Sequence, residues 1–244
     1  FMFIKKYFDQ ERFKNYPNLL INFVFSFLPV SYFFGSLIVN LSFMLFCCLG
    51  IFFLKSKIII TKYGPHIKII FLFFILIIFS TSLSFIKSLY FDNYEYHDLV
   101  RLIKSILFFR YFLFLIIVYL LSKSDILNFK YFFISAAFSP LLLSLDVIYQ
   151  YIFGYDILGF KNDGLLNGGF FGDEFIAGAY IERFSFFAIF FTILTLQNRN
   201  YSRFTFAAIV TTILGVGILV SGNRMPLVLF LFGIFFTFFF NIKI

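Results

Sequence analysis

The sequence predicts an all-α fold, a polytopic membrane bundle of about eight transmembrane helices with a cytoplasmic N-terminus. Three observations predict it. The chain of 244 residues is 61% apolar and only 13% charged, with a mean hydropathy of +0.97; a soluble domain averages roughly a quarter charged residues. The apolar residues gather in stretches near the ~20 residues that a helix needs to cross a bilayer core. The Lys and Arg residues collect in alternate loops, as the positive-inside rule requires of cytoplasmic ones.

Taken in order, the predicted spans are 18–34, 36–54, 68–87, 99–121, 131–153, 175–196, 204–220 and 226–242. The first and seventh are short. The second carries the only two cysteines, Cys47 and Cys48; adjacent and inside an apolar run, they read as small packing residues rather than a disulfide or metal set. The fourth carries Arg101, Lys104 and Arg110, the fifth Asp146, and the sixth Glu182 and Arg183. No soluble domain fits between spans, the longest gap being about 154–174, so 1–244 reads as a single transmembrane domain.

With the N-terminus cytoplasmic, the inner segments hold Lys5, Lys6, Arg12 and Lys14, then Lys55, Lys57, Lys62 and Lys68. Lys123, Lys130, Arg199, Arg203 and Lys243 follow. The net charge of +8 is thereby accounted for at the membrane, and no nucleic-acid partner is implied. Only Lys87, Lys161 and Arg224 fall in outer loops.

The exceptions to this pattern carry the information. Arg224 sits in "ILVSGNRMPLVLF", an outer break between spans seven and eight. Pro226 suits the first helical position of span eight, which puts Arg224 just before a helix N-terminus. A cation there is mildly unfavourable unless an anion joins it. Arg183 lies about two turns into span six from its outer end. Arg101 and Lys104 lie near the outer end of span four, three residues apart and so on one face. Arg110 is deeper and, at ~100° per residue, points away from Arg101. An arginine near the bilayer centre costs about 2.5–3.5 kcal/mol on insertion scales, so such residues face a bundle interior or a wet cavity. Their counter-charges could be Asp146 and Glu182 within the chain, or a ligand phosphate, whose oxygens match the guanidinium fork. A snorkelling helix-end anchor is the plainer reading of Arg224, Arg101 and Lys104.

Two outer loops complete the inventory. The stretch 154–174 is glycine-rich and turn-forming; Asp173 at its end suits an N-cap and Glu174 the first turn of span six. The stretch 88–98 carries Asp92, Glu95, His97 and Asp98, which could supply a base or bind a cation, although their spacing matches no metal site.

"GGFFGDEFIAGAYIERFSFF" (168–187) and "VSGNRMPLVLFLF" (220–232) together resemble the bacterial O-antigen ligases and O-antigen polymerases. In the first stretch Phe171, Gly172, Asp173, Glu174, Gly178, Tyr180 and Arg183 match the family pattern, with Ala179 in place of a small serine. In the second, Ser221, Gly222 and Arg224 match. The resemblance covers mainly 95–240. It implies transfer of a glycan from an undecaprenyl-diphosphate carrier to an acceptor glycan or lipid A core, at the periplasmic face of the inner membrane, with no metal or other cofactor. It implies diphosphate binding by Arg224 and Arg183, joined less directly by Arg101 and Lys104; by their place in the sequence Arg110, Asp146, Asp173, Glu174 and Glu182 could support them. Fixed cations that stabilise a leaving diphosphate act through transition-state electrostatics.

Family members continue into a large periplasmic loop with a functional histidine. His66 and His97 do not match it, so the chain is expected to be an N-terminal part of such a protein, its catalytic group unassigned. Two other functions fit the residues less fully. One is a polyprenyl-phosphate-sugar glycosyltransferase using the loop 88–98. The other is a flippase of lipid-linked glycans, although the paired span breaks of a transporter are not seen.

Overall fold

The structure, a computed structural model, describes residues 16–241 except 56–57, 59–60, 62, 91–95, 163, 165, 173 and 196–199. Its regular elements are helical: α1 (Tyr16–Ser31) with a 3-10 turn (Tyr32–Phe34), α2 (Ser36–Leu54), α3 (Pro65–Tyr90), α4 (Tyr96–Phe108) and α5 (Arg110–Lys123). After them come α6 (Phe129–Phe153), a 3-10 turn (Gly169–Phe171), α7 (Ala177–Thr195), α8 (Asn200–Val220) and α9 (Arg224–Asn241). The one β feature among the described residues is an isolated antiparallel bridge between Tyr155 and Lys161.

Five segments are long and apolar enough to cross a membrane: Ser36–Leu54, Pro65–Ser88, Asp98–Lys123, Phe129–Phe153 and Ala177–Thr195. The chain is a multi-pass membrane protein. The other three expected spans correspond to the shorter apolar helices Leu19–Phe34, Thr205–Val220 and Arg224–Thr237. The fourth expected span is not one unbroken helix. At Phe109 the bonding tightens to Phe109 N to Ile106 O (3.1 Å) and Phe112 N to Phe109 O (3.0 Å), which separates α4 from α5.

The expected single domain divides into two compact units. Among the described residues, one unit comprises Asn22–Ser42 and the chain from Asn128 onward; the other comprises Phe43–Leu127 with the start of α1.

In the first unit α6, α7 and α8 pack on one another. Leu143, Ile181, Leu214 and Ile218 are fully buried there. Lipid tails are as apolar as these side chains, so close packing and hydrogen bonds, rather than escape from water, must hold the helices together. Small residues allow the close approach: a Cβ added at Gly217 of α8 would lie 2.7 Å from Ser144 Cβ of α6. Pro140 inside α6 removes one helical donor, a loss that membrane helices absorb through neighbouring groups. Asn128 caps α6 by accepting from Lys130 N at 2.9 Å.

Tyr180 of α7 ties α1 into this unit. Its hydroxyl donates to Pro29 O at 2.6 Å, and the rings of Tyr32, Phe33 and Phe171 pack on the Tyr180 ring with centroids 5.3–5.8 Å away. Tyr180→Phe removes only the hydroxyl and leaves the carbonyl without its donor. A loss of about 1 kcal/mol is expected, read as a lower midpoint of thermal unfolding in detergent; an unchanged midpoint would remove this bond from the account.

In the second unit α3 packs on α4 and α5, and Thr81 of α3 shares a hydrogen bond with Ser105 of α4 at 2.8 Å. Only 6% of the most apolar stretch of α3 is buried in the chain, against 44% for α6. Thus α6 is central to its unit, whereas few residues of α3 are buried within the chain.

Candidate functional site: the 154–172 loop and the Ser221–Arg224 break

Asp146 and Gln150 are one turn apart on α6, so they share a face. Both are enclosed, at 0% and 1% exposure. A buried polar side chain must find partners, and these find them in the loop that follows. Gly154, in the left-handed region at φ 82°, ends α6 and turns the chain back. Asp146 Oδ1 then accepts from Ile157 N at 3.0 Å. Asp156 closes a short turn, its N donating to Phe160 O at 2.9 Å and its Oδ1 accepting from Phe160 N at 2.6 Å. Gln150 serves both arms of the loop: Nε2 donates to Phe160 O at 3.2 Å and Oε1 accepts from Gly169 N at 2.9 Å.

The second arm lies flat on α6. Gly169 has φ 53°, and a Cβ there would stand 2.9 Å from Asp146 Oδ2 and 2.9 Å from Val147 Cγ2. Two residues earlier the loop reaches α8. Asn167 donates from N to Ser221 O at 3.4 Å and from Nδ2 to Val220 O at 2.7 Å. The break between α8 and α9 is built on these contacts. Ser221 is fully buried and its hydroxyl donates to Ile218 O at 2.7 Å; Gly222 turns the chain at φ 80°; Asn223 Nδ2 donates to Phe175 O at 2.9 Å. Gly178, at the start of α7, faces this break: any Cβ there would collide with Ser221 Oγ and lie 3.0 Å from Asn223 Cβ. The two motif stretches, 168–187 and 220–232, therefore meet in one place.

Arg224 is exposed and is the first residue of α9, not the residue before it. Pro226 is correspondingly the third helical residue; the first turn has no internal N–H partners to lose, so proline fits throughout it. A guanidinium at a helix N-terminus, beside free backbone N–H groups, suits an oxyanion. Arg183 is exposed on the second turn of α7. At ~100° per residue, Glu182 lies within about 40° of Gly178 around α7 and Arg183 about 140° away. Glu182, which is half-buried, is therefore the one that shares the face turned to Ser221 and Asn223.

Arg101, Lys104 and Arg110 belong to the other unit and are exposed. Arg101 pairs with Asp98 at 3.2 Å, with 69% of its side chain exposed; a pair so open to its surroundings is weak. Arg110 starts α5, donates to Tyr111 hydroxyl at 3.1 Å and sits 5.0 Å from the centre of that ring.

The acidic residues depart from expectation. Asp146 and Glu182 were one of two candidate sets of counter-charge for the cations, a ligand phosphate being the other, yet the one ion pair among the described residues is Arg101–Asp98. Asp146 holds backbone instead, because its helix face is turned to the loop. Glu174 is not in the first turn of α7, which begins at Ala177; it precedes the helix, its N donating to Phe171 O at 3.1 Å. Asp173, with its expected N-cap role, lies outside the described residues, as do Asp92, Glu95 and the side chain of His97. Among the described residues no three His, Cys, Asp or Glu side chains gather as metal ligands would.

The chain matches no family model, no curated protein and no solved structure.

Gln150, Asn167 and Asn223 organise this region and were not singled out from the sequence. Gln150 carried a readable signal, a second polar residue one turn after Asp146 in an apolar span. The two asparagines sit in loop sequence where such residues are ordinary, so nothing marked them.

Proposed function

We propose that this protein is a membrane ligase or polymerase of bacterial surface polysaccharide. It moves a glycan from undecaprenyl diphosphate to an acceptor glycan or to lipid A core at the periplasmic face of the inner membrane. In this reading the chain crosses the membrane about eight times from a cytoplasmic N-terminus. Arg224 and Arg183 hold the diphosphate.

The observation that carries the reading is the packing of Gly178 against Ser221 and Asn223. Through it the two motif stretches form one structural unit, with Arg224 exposed at a helix N-terminus. The resemblance itself rests on the motif residues alone. Placing an exposed arginine at a positive dipole end makes physical sense when an anion completes the site.

The test is carried out in cells whose surface glycan depends on this gene. Arg224→Ala and Arg183→Ala are each expected to abolish ligated or polymerised glycan while the protein stays in the membrane at normal level. Normal glycan in both variants would refute the reading.

A further inference from the structure

We infer that Asn167 and Asn223 are positioning residues for Arg224, an inference that rests on the diphosphate-binding reading of that arginine. The last turn of α8 ends in carbonyls that no helical donor reaches. Asn167 takes two of them, Val220 O through Nδ2 (2.7 Å) and Ser221 O through its backbone N (3.4 Å). Asn167 is 5% exposed, so these bonds form away from the surroundings, where a carbonyl left without a donor is costly.

Asn223 acts from the other side. It immediately precedes Arg224, at the N-cap position of α9, and its Nδ2 reaches Phe175 O (2.9 Å) in the chain leading into α7. Between Val220, held by Asn167, and Asn223 lie only Ser221 and Gly222, and Gly222 has φ 80°, a turn that no other residue type makes as cheaply. The break is thus held at both ends by side chains from outside it or reaching outside it, and Arg224 projects from its final residue. The first anchor also extends inward. Asn167 is two residues from Gly169, which Gln150 fixes to α6. The start of α9 is therefore referenced to α6 through the loop and to α7 through Asn223.

A positioning role differs from a general stabilising role in one measurable respect: it works only while Arg224 is present. The test uses the full chain in detergent, with farnesyl diphosphate as the probe and its Kd read by titration calorimetry. Arg224→Ala is expected to weaken binding by at least about tenfold, the scale of one charge-assisted contact. Asn167→Ala and Asn223→Ala are each expected to weaken it by about three- to tenfold. In the Arg224→Ala background neither asparagine change should weaken it further, since the double-mutant cycle closes on a single group.

If either asparagine change is as damaging without Arg224 as with it, the positioning role is overturned while the diphosphate reading stands. Unchanged affinity in Arg224→Ala itself would instead remove the diphosphate reading. Should Asn167→Ala fail to fold, the cycle with Asn223→Ala decides on its own, because Asn223 is only half-buried and tolerates truncation better.

Discussion

Gly169→Val is expected to detach the second arm of the 154–172 loop from α6 and to cost about 2–5 kcal/mol. Two terms add. Gly169 has φ 53°, where a side chain costs roughly 1–2 kcal/mol, and more for a β-branched one. The new Cβ would also meet Asp146 Oδ2 and Val147 Cγ2 at 2.9 Å and Leu143 Cδ1 at 3.1 Å. Overpacking of this kind costs about 1–3 kcal/mol, and α6 is too enclosed to yield. Gly154→Val separates the terms. Gly154 also has positive φ, 82°, but nothing lies within 4 Å of an added Cβ, so only the conformational term applies. Thermal unfolding in detergent should rank the variants wild type, Gly154→Val, Gly169→Val. Equal losses in the two variants would mean that the contact with α6 contributes nothing.

Gln150→Leu should be nearly as damaging, although it preserves size and adds apolar surface. It leaves Gly169 N buried without an acceptor and Phe160 O without its side-chain donor. A buried orphan costs about 1–3 kcal/mol; Phe160 O, in a more open part of the loop, costs less. A total of about 2–4 kcal/mol follows. The expected signature is local first: limited proteolysis should cut within 154–172 under conditions where the wild-type chain resists, before the helices unfold. Resistance equal to wild type would show that the loop holds without Gln150.

Both changes strike the same junction, and the proposed diphosphate site gives a reason to expect more than a stability effect. The loop leads through Asn167 to the end of α8 and so to Arg224. Loosening the loop should weaken any anion site at Arg224 even where the protein remains folded.

Much of this was legible in the residues. Phe129–Phe153 and Ala177–Thr195 lie within two residues of their expected limits, because span length is set by bilayer thickness and apolar run length, both local quantities. The place of Arg183 in the second turn of α7 was legible for the same reason. The partner of Asp146 was not. From the sequence it was an acid in a membrane span, for which a cation is the obvious complement; in the structure it accepts from Ile157 N, eleven residues away. The helical pattern also ran unbroken through Phe109, where no glycine or proline marks the observed break.

By itself the sequence determined an α-helical membrane protein and the apolar stretches that form its long helices. Hydropathy and charge act on the chain one segment at a time, so they can be summed along it. Only the tertiary structure decided which polar atoms meet. Tyr180 finds Pro29 across 151 residues and Asn167 finds Val220 across 53. In a membrane interior each such group takes whichever partner the packing of helices delivers, and that packing depends on the shapes of small and large side chains together, not on any one stretch of the chain.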